Sequence, residues 1–222
     1  GAGSIGSMSD INALITRSNT RITAAYQAIQ DYAQANADPT ATATGAAPTV
    51  QNYQDVGVVR LDANNKDAVN TALTTLNLKS ANLQTTADIQ KVVDAYNAVF
   101  TLAEGNANNA TPQQAITVDT LSNLGIDATS LSAGVNSSQR LSMINNVLDA
   151  QQKTGVNTIA KVNDLVKYVN AVADQAAGLV PSYIMQAQDF AKLGIQGVEA
   201  TNLADIQQSI AAQKNHSPFA GL

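Results

Sequence analysis

One feature limits what this chain can fold into more than any other: a glycine set between two aliphatic residues returns three times. It occurs as Val56-Gly57-Val58, Leu124-Gly125-Ile126 and Leu193-Gly194-Ile195. The glycines stand 68 positions apart (57 to 125) and then 69 (125 to 194). A period of that size is one supersecondary unit, so the chain reads as copies of a small module in tandem. A second marker keeps its place ahead of each glycine: Tyr26-Gln27-Ala28-Ile29, Tyr96-Asn97-Ala98-Val99 and Val169-Asn170-Ala171-Val172.

Within each copy the apolar period is helical. Ile11, Leu14, Ile15, Ile22, Tyr26, Ile29 and Tyr32 form one stripe of about 25 residues at the i, i+3, i+4, i+7 spacing of a helix with one buried face. Ile89, Val92, Val93, Tyr96 and Val99 repeat it, as do Val162, Leu165, Val166, Val169 and Val172. Ser9-Asp10, Thr85 to Asp88 and Asn157-Thr158 offer the side-chain oxygens that open such helices. A shorter helix is expected next. Pro48, Pro112 and Pro181 fall in its first turn, where a missing N–H costs nothing, and Gly57, Gly125 and Gly194 end it as left-handed caps of the Schellman kind. A third helix opens at Asn64, Thr129 or Thr201 and carries Val69/Leu73, Ile144/Leu148 or Ile206/Ile210. The second copy departs from this plan: it is shorter between Gly125 and Asp127 and longer afterwards, with Gly134 to Ser138 expected to form a kink or restart.

The expected fold class is therefore all-α, an elongated tandem array of three small helical bundles. Their bounds read 9–84, 85–156 and 157–214, with residues 1–8 read as an expression scar and 215–222 as a tail. The natural chain is expected to continue on at least one side.

Composition sets the function classes. Of 222 residues 45% are hydrophobic but only 4% aromatic, and Cys and Trp are absent, so each core must be thin and aliphatic. A net charge of -5 with twelve scattered basic residues argues against a nucleic-acid face. The lack of Cys fits secreted bacterial surface proteins, and a cytosolic helical protein as well. No apolar run approaches the 18 residues of a membrane span.

Candidate chemistry is sparse. His216, the only histidine, sits in the tail without a second ligand or base. Asp62-Ala63-Asn64-Asn65-Lys66-Asp67 has the oxygen-rich look of a calcium loop, but Lys66 stands in its middle and a helix continues from it, so capping is the better reading. Tyr26, Tyr53, Tyr96, Tyr168 and Tyr183 could line a sugar-stacking face, yet at helical spacing among aliphatics they read as core residues with the hydroxyl at the edge. No catalytic, cofactor-binding or metal residues are expected.

The order Tyr53-x-x-Val56-Gly57-Val58, then Asn65-x-x-Ala68-Val69-Asn70-x-Ala72-Leu73, then Thr86-Ala87-Asp88-Ile89-Gln90-x-Val92-Val93-Asp94-Ala95-Tyr96-Asn97-Ala98-Val99 resembles the helical repeats of very large bacterial surface adhesins. The resemblance implies an extracellular, non-enzymatic stalk segment at the bacterial cell surface. Its partners would be neighbouring modules of a longer chain, and its role attachment or biofilm formation. A fainter likeness is to three-helix albumin-binding modules, which leaves the alternative of a binding module whose helical faces capture a host or matrix protein.

Overall fold

The computed structural model describes residues 6–37, 44–105, 114–132 and 136–213. These are all-helical, with ten α-helices and no strand among the described residues. The chain divides into two compact units, Gly1–Asp94 and Ala95–Leu222, and the division falls inside a helix that belongs in part to each.

The first unit holds α1 (Met8–Ala35), α2 (Val50–Asp55), α3 (Lys66–Ala72), a 3-10 turn at Ser80–Asn82 and the start of α4 (Thr86–Leu102). Its core is aliphatic around one fully enclosed tyrosine: Ile29, Tyr53, Val69, Leu73, Leu83, Ile89 and Val93 have no exposed surface. The second unit holds the rest of α4, then α5 (Val118–Asn123), α6 (Thr129–Ser132), α7 (Ser137–Asp149), a 3-10 turn at Lys153–Gly155, α8 (Ile159–Ala176), α9 (Ala187–Lys192) and α10 (Leu203–Ala212). Val99, Ala103, Leu121, Leu124, Ile144, Leu148, Val156 and Val162 are its fully buried aliphatics. A satellite cluster forms where Tyr168, Ala171, Met185 and Phe190 are covered by half-buried Leu193, Ile206 and Ile210.

Several expectations need correction. The stripe of α1 is core only in its second half: Ala25, Ile29, Tyr32 and Ala33 are buried, while among the described residues nothing covers Ile11, Leu14 and Ile15, which are exposed. That helix starts at an N-cap Ser7 rather than Ser9, with Asp10 as the reciprocal partner in its first turn. Thr85 and Thr158 cap α4 and α8 as the sequence indicates. Pro48 precedes the N-cap Thr49 of α2, and Pro181 lies well ahead of α9, so neither occupies a first helical turn; Pro112 lies outside the described residues. The hydroxyls of Thr49 and Thr117 open α2 and α5 instead, and at the start of α9 the Asp189 carboxylate accepts the Gln186 N–H. The third helices begin one residue later than expected, at Asn65 and Asn202, because those amides turn back to brace the preceding loop. Thr129 is the first helical residue of α6, held by Asp127. Residues 134 and 135 of the expected kink lie outside the described residues; Asn136, next to them, is left-handed at φ 59° and precedes α7.

Candidate functional site

Three short helices of six residues each, α2, α5 and α9, end in the same way. Gly57, Gly125 and Gly194 have φ of +83°, +73° and +83°. In each turn the glycine N–H and the following N–H reach back into the helix. Gly57 donates to Gln54 O and Val58 to Tyr53 O; Gly125 donates to Ser122 O and Ile126 to Leu121 O; Gly194 donates to Ala191 O and Ile195 to Phe190 O, all at 2.9–3.0 Å. This is the Schellman pattern, and it satisfies carbonyls that a bare helix end would leave open.

The start of each short helix is tied to a later helix, α3, α7 or α10, by an amide side chain. Asn70 Nδ2 donates to the Pro48 carbonyl at 2.9 Å, Asn145 Nδ2 to Ile116 at 3.2 Å and Gln207 Nε2 to Met185 at 2.9 Å. In every case the acceptor is the residue just before the N-cap. Asn70 also accepts from the Tyr53 hydroxyl at 2.7 Å, and Asn145 from the Ile116 N–H at 2.8 Å. The recurrence extends into the loops that follow Gly57 and Gly194. Asn65 bridges the Asp62 N–H and the Arg60 carbonyl; Asn202 bridges the Glu199 N–H and the Gly197 carbonyl. Arg60 (φ 60°) and Gly197 (φ 80°) fill the same left-handed position.

The loop after Gly125 is three residues shorter, and a polar pocket of about 500 Å³ lies beside it, lined by Asp127, Thr129, Ser130, Arg140, Asn170, Asp174 and Ser182. Asp127 opens α6 by accepting from the hydroxyl (2.6 Å) and N–H (3.0 Å) of Thr129, which hold its carboxyl below the usual range. Arg140, on α7, is buried and directed at α8, where it donates to Asn170 O and Oδ1 and pairs with Asp174 at 2.5 Å. With its charge matched by Asp174, the guanidinium serves as a tie between α7 and α8.

A second pocket of about 370 Å³ is lined by Gln151, Gly155, Lys161, Asp164, Leu165 and Lys192. Lys192 Nζ donates to the Tyr168 hydroxyl at 3.0 Å, which together with the nearby ring and Asp189 raises its pKa. Tyr183 donates to buried Asp189 at 2.8 Å, and that bond pushes its own pKa up to about 12. Lys167 Nζ sits 4.6 Å from the Tyr183 ring centre and 2.7 Å from Asp164.

The residues singled out in the sequence are placed as follows. Asp62 Oδ1 accepts the Asn64 N–H at 2.7 Å and Lys66 pairs with Asp67 at 2.8 Å, an arrangement that closes the loop upon itself. Among the described residues no group of three or more His, Cys, Asp or Glu could hold a metal ion. His216 lies outside the described residues. Tyr53, Tyr96 and Tyr168 are buried; Tyr26 is half-buried and shares a 2.8 Å bond with Thr86, and Tyr96 donates to Val156 O at 2.9 Å. They form no exposed ladder. Sequence reasoning missed the three amide clamps and Arg140, since an isolated Asn or Arg carries no local sign of a partner 20 or 30 residues away. Gly178 was also missed, although its position just after α8 matches the other caps: its N–H donates to Gln175 O and that of Leu179 to Asp174 O. Among the described residues no helix is long and apolar enough to cross a membrane. No protein-family model matches the sequence, and comparison with curated proteins and with solved structures finds no match.

Proposed function

We propose that this chain is a non-enzymatic spacer, a stalk segment of a bacterial cell-surface adhesin, made of three tandem helical modules and serving attachment or biofilm formation outside the cell. The single observation that carries the reading is the threefold recurrence of one frame: a six-residue helix with a glycine Schellman ending, clamped at its start by an amide from the third helix. A repeated frame with polar residues that bond to backbone fixes the shape of each module. Repetition of shape is what a spacer requires, because length then scales with copy number. The alternative, a module that captures a host or matrix protein, would draw support from exposed apolar residues repeated on one face. The exposed Leu179, Val180 and Ile184 cluster in one loop and have no counterpart group among the described residues of the other two copies.

Small-angle scattering tests the spacer. A compact globule of 222 residues has a radius of gyration of about 17 Å. The stalk reading expects a clearly larger value with a distance distribution skewed to long separations; a symmetric distribution near the compact value rejects it.

A further inference from the structure

The three long helices open on the same words. After the N-cap come Ile11-Asn12-Ala13-Leu14-Ile15 in α1, Ile89-Gln90-Lys91-Val92-Val93 in α4 and Val162-Asn163-Asp164-Leu165-Val166 in α8. In α1 and α4 even the cap is the same: Ser7 and Asp10 exchange the two hydrogen bonds that Thr85 and Asp88 exchange. Their surroundings differ. Ile89, Val92 and Val93 are 0%, 2% and 0% exposed, and Val162, Leu165 and Val166 are 0%, 4% and 3%, whereas Ile11, Leu14 and Ile15 are 37%, 43% and 53% exposed.

Polar residues flanking this stripe tie the start of α4 to the chain after Gly57. The Thr86 hydroxyl donates to Val56 O at 2.5 Å, Gln90 donates to Val59 O at 3.0 Å and accepts from Val59 N–H at 2.8 Å, and Asp94 pairs with Arg60 at 2.7 Å. The start of the long helix thus lies along the glycine turn of α2. The apolar residue after the glycine is buried there, with Val58 5% exposed, and Ile126 after the second glycine is likewise 5% exposed. After the third glycine Ile195 is 46% exposed, on a backbone of the same φ and the same hydrogen bonds. The chain therefore displays one open helix start, at α1, and one open glycine turn, at Leu193 to Gly197, which are the two halves of a contact that it makes internally.

We infer that the start of α1 in one copy of this chain docks on the Leu193 to Gly197 turn of a second copy, repeating the contact of α4 with the Val56 to Arg60 turn. Asn12 occupies the place of Gln90 against the Gln196 backbone, and Ile11, Leu14 and Ile15 lie against Ile195; Met8 stands in the place of Thr86, so the hydroxyl bond of that contact is not repeated. Gly197 in place of Arg60 matches Thr16 in place of Asp94, so no charge is left without its partner. The contact is heterologous: it uses different surfaces on the two copies, so association is head-to-tail and open-ended. It depends only on the repeated cap and turn, so its failure would leave the spacer reading to the scattering experiment.

Sedimentation equilibrium of the chain over a wide concentration range, with Ile15→Asp and Ile195→Asp, tests this. Both positions are exposed, and melting curves establish that each variant is folded. The wild-type chain is expected to associate progressively beyond dimers, and each variant alone to remain monomeric. An equimolar mixture of the two is expected to give a one-to-one dimer that grows no further, because the intact α1 of the Ile195→Asp copy meets the intact turn of the Ile15→Asp copy. A wild-type chain that stays monomeric throughout, association that survives in either variant, or a mixture that stays monomeric would overturn the proposal; the last result, beside an associating wild type, would point to α1 stripes packing on each other.

Discussion

The loop after the second glycine and those after the first and third solve one problem by different means. After Gly57 and Gly194 the chain passes through a second left-handed residue, Arg60 or Gly197, and an asparagine braces the bend before α3 or α10 begins. After Gly125 the three residues that would make this bend are absent. Asp127 caps a single turn of helix, and the amide-bearing helix α7 is held by Arg140 against Asp174 instead. The Schellman turn and the amide clamp persist through this change. The connection between them is thus the replaceable part, and the clamp is what keeps the short and third helices in register.

If that division of labour holds, substitutions should rank by what they leave buried. Arg140→Ala should have the largest effect, about 3 kcal/mol, since it removes a buried guanidinium and leaves the mostly buried Asp174 carboxylate without its cation. The comparison is Arg60→Ala, whose ion pair with Asp94 is largely solvated and whose loss should cost less than about 1 kcal/mol. Urea midpoints of the two variants separate the cases, and equal losses would mean that Arg140 is not the tie described above.

Next comes Asn70→Ala, expected to destabilise by about 2 kcal/mol by stranding the Tyr53 hydroxyl and the Pro48 carbonyl in the core. Gln207→Ala, at a half-buried clamp, should cost less. If the order came out reversed, burial would not be what sets the strength of the clamp. Gly125→Ala should lose about 1 kcal/mol through the steric cost of a Cβ at positive φ, and Gly194→Ala should lose a similar amount even though open space surrounds its Cα. A loss at one glycine alone would show that crowding, and not backbone conformation, selects the residue.

The smallest effect concerns the two matched caps. The Ser7 hydroxyl holds the Asp10 carboxyl below its ordinary value, and the Thr85 hydroxyl does so for Asp88. A carboxylate so held stabilises the fold at pH above its ordinary value of 3.8, and that contribution is lost as pH falls through its lower folded value. Carboxyl NMR titration should therefore place both midpoints below 3.8, and Ser7→Ala should return that of Asp10 alone toward it.

The sequence by itself determined the helical class, the three glycine caps and the caps at Thr85 and Thr158. These are set by neighbours within about five residues: a hydroxyl beside a free N–H, or a glycine where a Cβ would clash. Nothing so local distinguishes the start of α1 from that of α4, because the two carry the same cap and the same apolar spacing. Only the tertiary structure decided that one stripe is core and the other surface, that Asn70, Asn145 and Gln207 are clamps, and that Arg140 is buried. Burial is a property of what lies opposite, and the partner that buries a side chain or accepts its hydrogen bond stands tens of residues away, where the period of the sequence carries no record of it.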